Sequence, residues 1–546
     1  MKKLFIYKYS LITSLLLAIF YSNVYALQGS TAENGSNAQA VHELGITGRG
    51  INVGLISARN VRDTHEAFKD KDPNDSNNVH VFNFDYSGSD VNYMGGSVPG
   101  HDTWVAGIIA SRGWTGRPND IGVSPDCNLY SARVVNDSGI ISTDYVEDAL
   151  EALINTYNCR VFVTAIALSG DANGSSPYSL MYDYFAYTNN VVFALASGNG
   201  STHPYIFGDA YNGITTAALI DEPNDYYLRV GSLSNPGPTV DGRKKPEISC
   251  PGSSQTTPSI GSDTASYTTV KDGATSFCVP QTGGVAALLL EYADQTTSEP
   301  NDGRNEVIKA VIVNSTFPNI KNKAGNPTYP ADPNNVWHPQ RGYGRIDALR
   351  ALETLDANRI IRNTTITASA GWAYDTMSSK ATHIYSLEGR KNERLILTVT
   401  WHRDVTRSRS RPSSPWEYKD EEPNKFNIDI TIKDPCDMVV YSETNSVNNL
   451  EKVDLILSDD GNYTVLLTNT TSKSRDYGLA FEILPPLTGD FDMNYIVNGL
   501  DLYKMAFDWL NAGPDTDIVP DGIVNWLDFA RFADNWLKTD ARYYNP

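Results

Sequence analysis

Three segments hold side chains whose types and order are hard to explain by packing alone. Gly100-His101-Asp102-Thr103-Trp104-Val105-Ala106-Gly107-Ile108-Ile109 opens a helix with a histidine, and its Ala and Gly permit close packing. Ala196-Ser197-Gly198-Asn199-Gly200 ends an apolar strand with a side-chain amide. Gly273-Ala274-Thr275-Ser276-Phe277-Cys278-Val279-Pro280 leads a serine into the Gly- and Ala-rich helix Gly283-Gly284-Val285-Ala286-Ala287-Leu288. A serine hydroxyl is a poor nucleophile until a base accepts its proton, and histidine titrates near working pH. A preorganised amide donor stabilises the oxyanion that such an attack creates. Singly, each residue has a plainer role: Ser276 as an N-cap, Asn199 as a turn residue, His101 as a capped surface side chain.

Taken in this order, the segments resemble the subtilase family of serine proteases, over about Ala40 to Leu349. Gly122-Val123-Ser124-Pro125-Asp126 with Leu129 to Val134, Ser234 to Ile248 with Pro251-Gly252, and Gly342-Tyr343-Gly344-Arg345-Ile346 resemble further stretches of that family. The resemblance implies that Ser276 is the nucleophile, His101 the base, and Asn199 the oxyanion donor beside the backbone N–H of Ser276. In subtilisin itself one such donor is worth about 3 to 4 kcal/mol.

The pattern breaks at the third catalytic position. Where the family closes its first strand with an aspartate, Val53-Gly54-Leu55-Ile56 runs into Ser57. A hydroxyl there can orient His101 but cannot supply the charge that stabilises an imidazolium. Asp63, six residues on, is a substitute if its loop swings in. Asp102 adjoins His101, yet neighbours on a helix are not expected to face each other. Trp104 and Gln281 replace family histidines, Cys278 an alanine, and Ser169 stands in the substrate-pairing strand, so peptide access is expected to narrow. Cys278 reads as a buried packing thiol.

The elements that must position these residues follow from alternation. Runs at Ile51–Ile56, Asn128–Val135, Arg160–Leu168 and Val191–Ala196 read as buried strands, and Tyr145–Leu153 and Thr282–Tyr292 as helices. Strands alternating with helices imply an α/β fold, here a subtilisin-like parallel sheet with helices on both faces. After Arg359, runs at Leu395–Trp401, Phe426–Ile432, Met438–Tyr441, Val453–Leu457 and Tyr463–Leu467 imply an antiparallel β-sandwich with one wet face. The sandwich reads as a spacer, with carbohydrate or peptide binding open to it if Trp372, Trp401 and Trp416 are exposed.

Beyond Pro485-Pro486, Asp501-Leu502-x3-Ala506-x2-Trp509-Leu510 recurs as Asp528-Phe529-x3-Ala533-x2-Trp536-Leu537, an offset of 27 residues. Asp490, Asp492, Asn494, the Ile496 carbonyl, Asn498 and Asp501 fall at the 1, 3, 5, 7, 9 and 12 positions of a calcium loop, with Tyr495 at its turn. The second loop offers Asp517, Asp521, Ile523, Asn525 and Asp528, with Gly522 at the turn, while Val519 leaves position 3 to Asp515 or water. The pair resembles type I dockerin repeats, small α-helical modules with EF-hand-type loops, which implies Ca²⁺ as cofactor and a cohesin-like docking partner. A calcium-stabilised cap without a partner is the plainer alternative.

At 546 residues the chain exceeds one core. Residues 1–26 read as a signal peptide: Lys2 and Lys3, an apolar run from Leu11 to Phe20, and small residues ending at Ala26. Residues 27–355 form the peptidase-like unit, 358–486 the sandwich, and 488–540 the dockerin-like repeats. Export, no transmembrane segment after cleavage, and no folded pro-domain between Ala26 and Ile51 are expected. A formal charge of −20 argues against nucleic-acid binding, and five scattered cysteines against a zinc site or disulfide scaffold. Two functions compete: a serine endopeptidase hydrolysing protein or peptide substrates, docked through its tail, and a pseudo-protease that holds peptides without turnover.

Overall fold

The computed structural model of the protein describes residues 27–69, 78–84, 100–222, 226–271, 273–296, 299–328, 336–411, 414–421, 426–491, 497, 499–510, 513 and 516–536. The signal-peptide reading therefore lies outside the described residues, as do Asp492, Asn494, Ile496 and Asn498 of the first calcium loop.

The first unit opens with helices α1 (Leu27–Thr31) and α2 (Ala38–Glu43), followed by strands β1 (Asn52–Ser57) and β2 (Val79–Asn83). Helix α3 (His101–Ala110), the hairpin β3 (Arg112–Trp114) and β4 (Arg117–Ile121), β5 (Asn128–Arg133), α4 (Thr143–Asn155), β6 (Val161–Thr164), α5 (Pro177–Asn189) and β7 (Val192–Ala196) come next. After these are β8 (Ile214–Ile220), β9 (Arg229–Val230), β10 (Ile248–Pro251), the hairpin β11 (Gln255–Pro258) and β12 (Tyr267–Val270), and helices α6 (Val279–Gln295), α7 (Asn305–Asn314) and α8 (Ala348–Asp356). One sheet runs β10-β8-β7-β6-β1-β5-β2, parallel throughout, with β9 added antiparallel to β8. Alternation along β1 assigns the faces: Val53 and Leu55 join a core shared with α3 and α6, while Ile56 joins one shared with α4 and α5. Both faces are covered, which is why these strands read as near-continuous apolar runs. The chain reverses direction across β1, and in such sheets the crevice at the carboxyl ends of the strands is where sites are built.

The second unit holds two sheets. One runs β13 (Thr365–Ile366), β15 (Thr382–Gly389), β22 (Gly461–Asn469), β19 (Ile428–Lys433), β20 (Val439–Glu443); the other runs β14 (Ala370–Met377), β23 (Arg475–Leu484), β16 (Arg394–Trp401), β21 (Leu450–Ile456). Leu387 and Val465 from the first and Leu397 and Phe481 from the second share one cluster. A short hairpin, β17 (Val405–Ser408) with β18 (Glu417–Asp420), stands apart.

The wet face expected along this unit is absent from β16, whose eight residues are all buried. Its outer face packs on the first unit, where Thr398 Oγ1 donates to Asn314 Oδ1 at 3.1 Å. Lys452 inserts its ammonium among the Val313 carbonyl (2.8 Å), the Asn314 carbonyl (3.1 Å) and Thr316 Oγ1 (3.0 Å), and burial holds it well below its usual range. A side chain at Gly478 would meet the Glu306 carbonyl at 2.3 Å, so β23 lies against α7 at backbone distance. Trp372 is buried where this unit meets the first, Trp401 is buried in the core between the two sheets, and Trp416 lies under Arg407 and Arg409, which corrects the idea of an exposed aromatic platform.

Helices α9 (Gly499–Phe507) and α10 (Trp526–Ala533) form the tail around Val497, Met505, Val524 and Phe532. All five cysteines are unpaired thiols, four of them buried and Cys436 exposed. No helix among the described residues is long and apolar enough to cross a membrane.

Candidate active site

Ser276 sits in the 3₁₀ turn Thr275–Phe277 that feeds α6, and it is 7% exposed. The small residues of α6 let it press closely on its surroundings: a Cβ at Gly283 would meet Val163 of β6 at 2.3 Å, and one at Gly284 would meet Val123, in the segment before β5, at 2.5 Å. That packing holds the turn beside the end of β7 and against β8, where the Gly198 N–H donates to Thr275 Oγ1 at 3.1 Å. Asn199 arrives from the end of β7, where Gly198 takes a φ of +96° and Tyr205 leaves no room for a side chain. Asn199 Oδ1 accepts from the Thr275 N–H at 2.9 Å and from Thr275 Oγ1 at 3.3 Å. With its oxygen held by the residue before Ser276, the amide presents Nδ2 from an exposed position, without a hydrogen bond among the described residues.

Cys278 points the other way. Its thiol meets the Thr275 carbonyl at 3.1 Å and the Thr216 carbonyl at 3.8 Å, and burial pushes it well above the usual thiol range. Gln281 is also internal: its Nε2 donates to Ser30 Oγ (3.0 Å) and Gln255 Oε1 (2.8 Å), and Gln255 in turn donates to the Phe277 carbonyl at 2.8 Å. These amides support the serine turn from beneath, a role that residue type alone did not reveal.

His101 is the first residue of α3 after Gly100. Its ring lies 5.5 Å from that of Phe277, placing it beside the serine turn, although no hydrogen bond joins it to Ser276 among the described residues. Such bonds are commonly long before substrate binds. Its Nδ1 lies 3.6 Å from Asp102 Oδ1. The expectation that these neighbours cannot face each other is corrected here, because both occupy the opening turn. Side chains on a helix lean toward its N-terminus, and at the first two positions no preceding turn lies beneath to separate them. Asp102, 1% exposed, accepts from the Arg59 N–H at 2.9 Å and the Ala58 N–H at 3.3 Å.

Ser57 is fully buried and pairs with Ser131 Oγ on β5 at 3.2 Å. Asp63 lies in the loop after β1, where His80 and Asp263 are the charges acting on it and burial raises its carboxyl above the usual range. Trp104 donates Nε1 to Ser259 Oγ at 3.3 Å and places its ring 6.1 Å from that of Phe277. Ser169 is exposed beside the bridge between Leu168 and Ile206.

In the tail, the described acids serve backbone groups. Asp501 Oδ1 accepts from the Phe491 N–H at 2.7 Å, and buried Asp490 lies at the start of the same loop. Asp528 accepts from the N–H groups of Val519 (2.8 Å) and Asn525 (2.7 Å), and Asp517 from that of Gly522 (2.9 Å). Asp521 takes the side-chain amide of Asn525 at 2.9 Å, and that amide also donates to the Ile523 carbonyl. Among the described residues no three carboxylate, imidazole or thiol groups converge on one point.

Comparison with known proteins places these features in a family. The subtilase family model matches residues 48–344, more than half of the chain. Serine protease AprX of Bacillus subtilis is 26% identical over 235 residues, covering 37% of this chain and 50% of its own length. The thermostable alkaline protease of Halalkalibacterium halodurans is 26% identical over 230 residues, 42% of this chain and 58% of its own. The chain thus spans about half the length of these curated relatives. Among solved structures, the prenylagaramide maturation protease PagA aligns over 59% of this chain and 99% of its own, at 19% identity and a TM-score of 0.43. With its family match running from the segment before β1 to the turn before α8, the chain belongs to the subtilase family.

Proposed function

We propose that the protein is an exported serine endopeptidase. Ser276 Oγ attacks the scissile carbonyl, His101 takes its proton and returns it to the leaving amine, and water then hydrolyses the acyl-enzyme. Asn199 Nδ2 and the Ser276 N–H hold the oxyanion. The observation that carries this reading is the anchoring of Asn199 Oδ1 by Thr275, which turns the donor prong of the amide away from the residue adjoining the nucleophile. Purified full-length chain should cleave an unstructured protein substrate at internal peptide bonds; absence of cleavage across pH 6 to 10 overturns the reading. The rival, a cleft that holds peptides without turnover, draws support from Ser57, whose hydroxyl is engaged by Ser131 rather than by His101. The same assay separates the two.

The tail is read as a docking module for a cohesin-like partner. Leu500, Tyr503 and Phe507 form an exposed row on α9, and Trp526 and Leu527 stand exposed on α10, an apolar surface of the kind that marks protein contacts. Calcium would be held by Asp490, Asp492, Asn494, Ile496, Asn498 and Asp501 in one loop and by Asp517, Asp521, Ile523, Asn525 and Asp528 in the other, after the acids exchange backbone N–H groups for the ion. Adding Ca²⁺ should slow trypsin cleavage after Lys504 and Arg531, and a chelator should restore it. An unchanged fragment pattern counts against both loops.

A further inference from the structure

We propose that Asp102 stands in for the missing aspartate, orienting His101 and stabilising its imidazolium from the helix instead of from β1; the proposal rests on the peptidase reading above. The carboxylate lies 3.6 Å from His101 Nδ1, an ion-pair distance that needs only a small ring movement to become a hydrogen bond. It is nearly inaccessible, and the N–H groups of Ala58 and Arg59 lock it in place. Those two residues directly follow Ser57, so the charge reaches the same end of β1 from the opposite partner. The neighbouring cations are engaged elsewhere. Arg59 Nη1 turns to the carbonyls of Ala58, Val135 and Asn136, and Arg62 to Asp263 and the Ile260 carbonyl. Asp102 is a positioning residue: it acts on the substrate only through His101.

Asp102→Asn should lower kcat by roughly 10³- to 10⁴-fold with little change in KM, the scale known when the triad aspartate of a serine protease becomes asparagine. Adding Ser57→Asp to that variant should recover at least about tenfold, because it restores a carboxylate at the same end of β1. A merely structural role predicts neither the KM-against-kcat split nor the rescue. A second readout needs no turnover: in the Ser276→Ala chain, the His101 Nδ1–H proton should give a far-downfield NMR resonance that vanishes on Asp102→Asn. If that resonance persists, or if Asp102→Asn turns over as fast as the parent, the proposal falls. If the resonance depends on Asp102 but the parent cleaves nothing, the pairing stands and the peptidase reading falls.

A separate observation concerns Leu27. Its backbone nitrogen, fully buried, donates to Asp120 Oδ1 at 3.0 Å, across 93 residues of sequence. Asp120 is 2% exposed and its other oxygen pairs with Arg117 Nη1 at 3.1 Å. We infer that export cleavage of the Ala26–Leu27 bond completes this site. The host's leader peptidase hydrolyses that bond with water, leaving the carboxylate on Ala26 and an α-ammonium on Leu27, which then pairs with Asp120. The seat adjoins the catalytic turn, since Ser30 of the same short helix accepts from Gln281 under Phe277. N-terminal sequencing of the exported chain should read Leu27 first. Asp120→Asn should lower the melting midpoint of that form by at least about 2–4 °C, and by clearly less in a chain that retains its leader. A different first residue, or equal losses in both forms, overturns the inference.

Discussion

Replacing Ser276 with alanine is expected to lower kcat for peptide hydrolysis by roughly 10⁶-fold, the scale known for loss of the nucleophile in subtilisin. The effect should be confined to catalysis. Ser276 Oγ makes no hydrogen bond among the described residues, and the turn is held by groups on either side of it, Thr275 by Asn199 and Phe277 by Gln255. Thermal unfolding of the variant should therefore superimpose on that of the parent. Cys278, two residues on, gives no residual nucleophile, because its thiol is buried against two carbonyls. Initial-rate kinetics with a chromogenic peptide check the size of the loss.

Replacing Arg350 with methionine is expected to destabilise the chain by about 3–5 kcal/mol, the usual cost of leaving one member of a buried ion pair behind. Arg350 on α8 forks onto Glu482 of β23, with both side chains 2% exposed, and Thr354 Oγ1 adds a third donor at 3.1 Å. Removing the cation leaves a carboxylate sealed between the two units, with the Thr354 hydroxyl as its remaining hydrogen bond among the described residues and the Lys452 ammonium as a nearby charge. The paired change Arg350→Met with Glu482→Leu should recover most of the loss, since apolar replacement of a whole buried pair is often neutral. Urea unfolding followed by tryptophan fluorescence reads this directly, because Trp372 lies in the same interface, with its Nε1 on the Leu355 carbonyl.

The strands and helices around the site were legible because burial on both faces writes itself as unbroken apolar runs. Asn52–Ser57 and Asn128–Arg133 fall within about two residues of expectation. Helix α6 begins three residues earlier than periodicity suggested, since Pro280 is tolerated in a first turn whose N–H groups need no helical partner. Expected strand Arg160–Leu168 stops at Thr164, and residues 165–168 leave the ladder except for the bridge at Leu168. Ser276, His101 and Asn199 were legible as types in order. The carboxylate beside His101 was not, because the rule separating helical neighbours holds in a helix interior and fails at its first two residues. Nor was the burial of Trp372 legible: a strand that is wet on one face in isolation becomes dry when another unit covers it.

Active-site titration is the most direct measurement of whether this cleft works as a serine peptidase. Wild-type chain treated with a fluorophosphonate should take up close to one label per molecule, and peptide mapping should place the adduct on Ser276, with none in Ser276→Ala. No adduct, or an adduct on any other residue, would contradict the account.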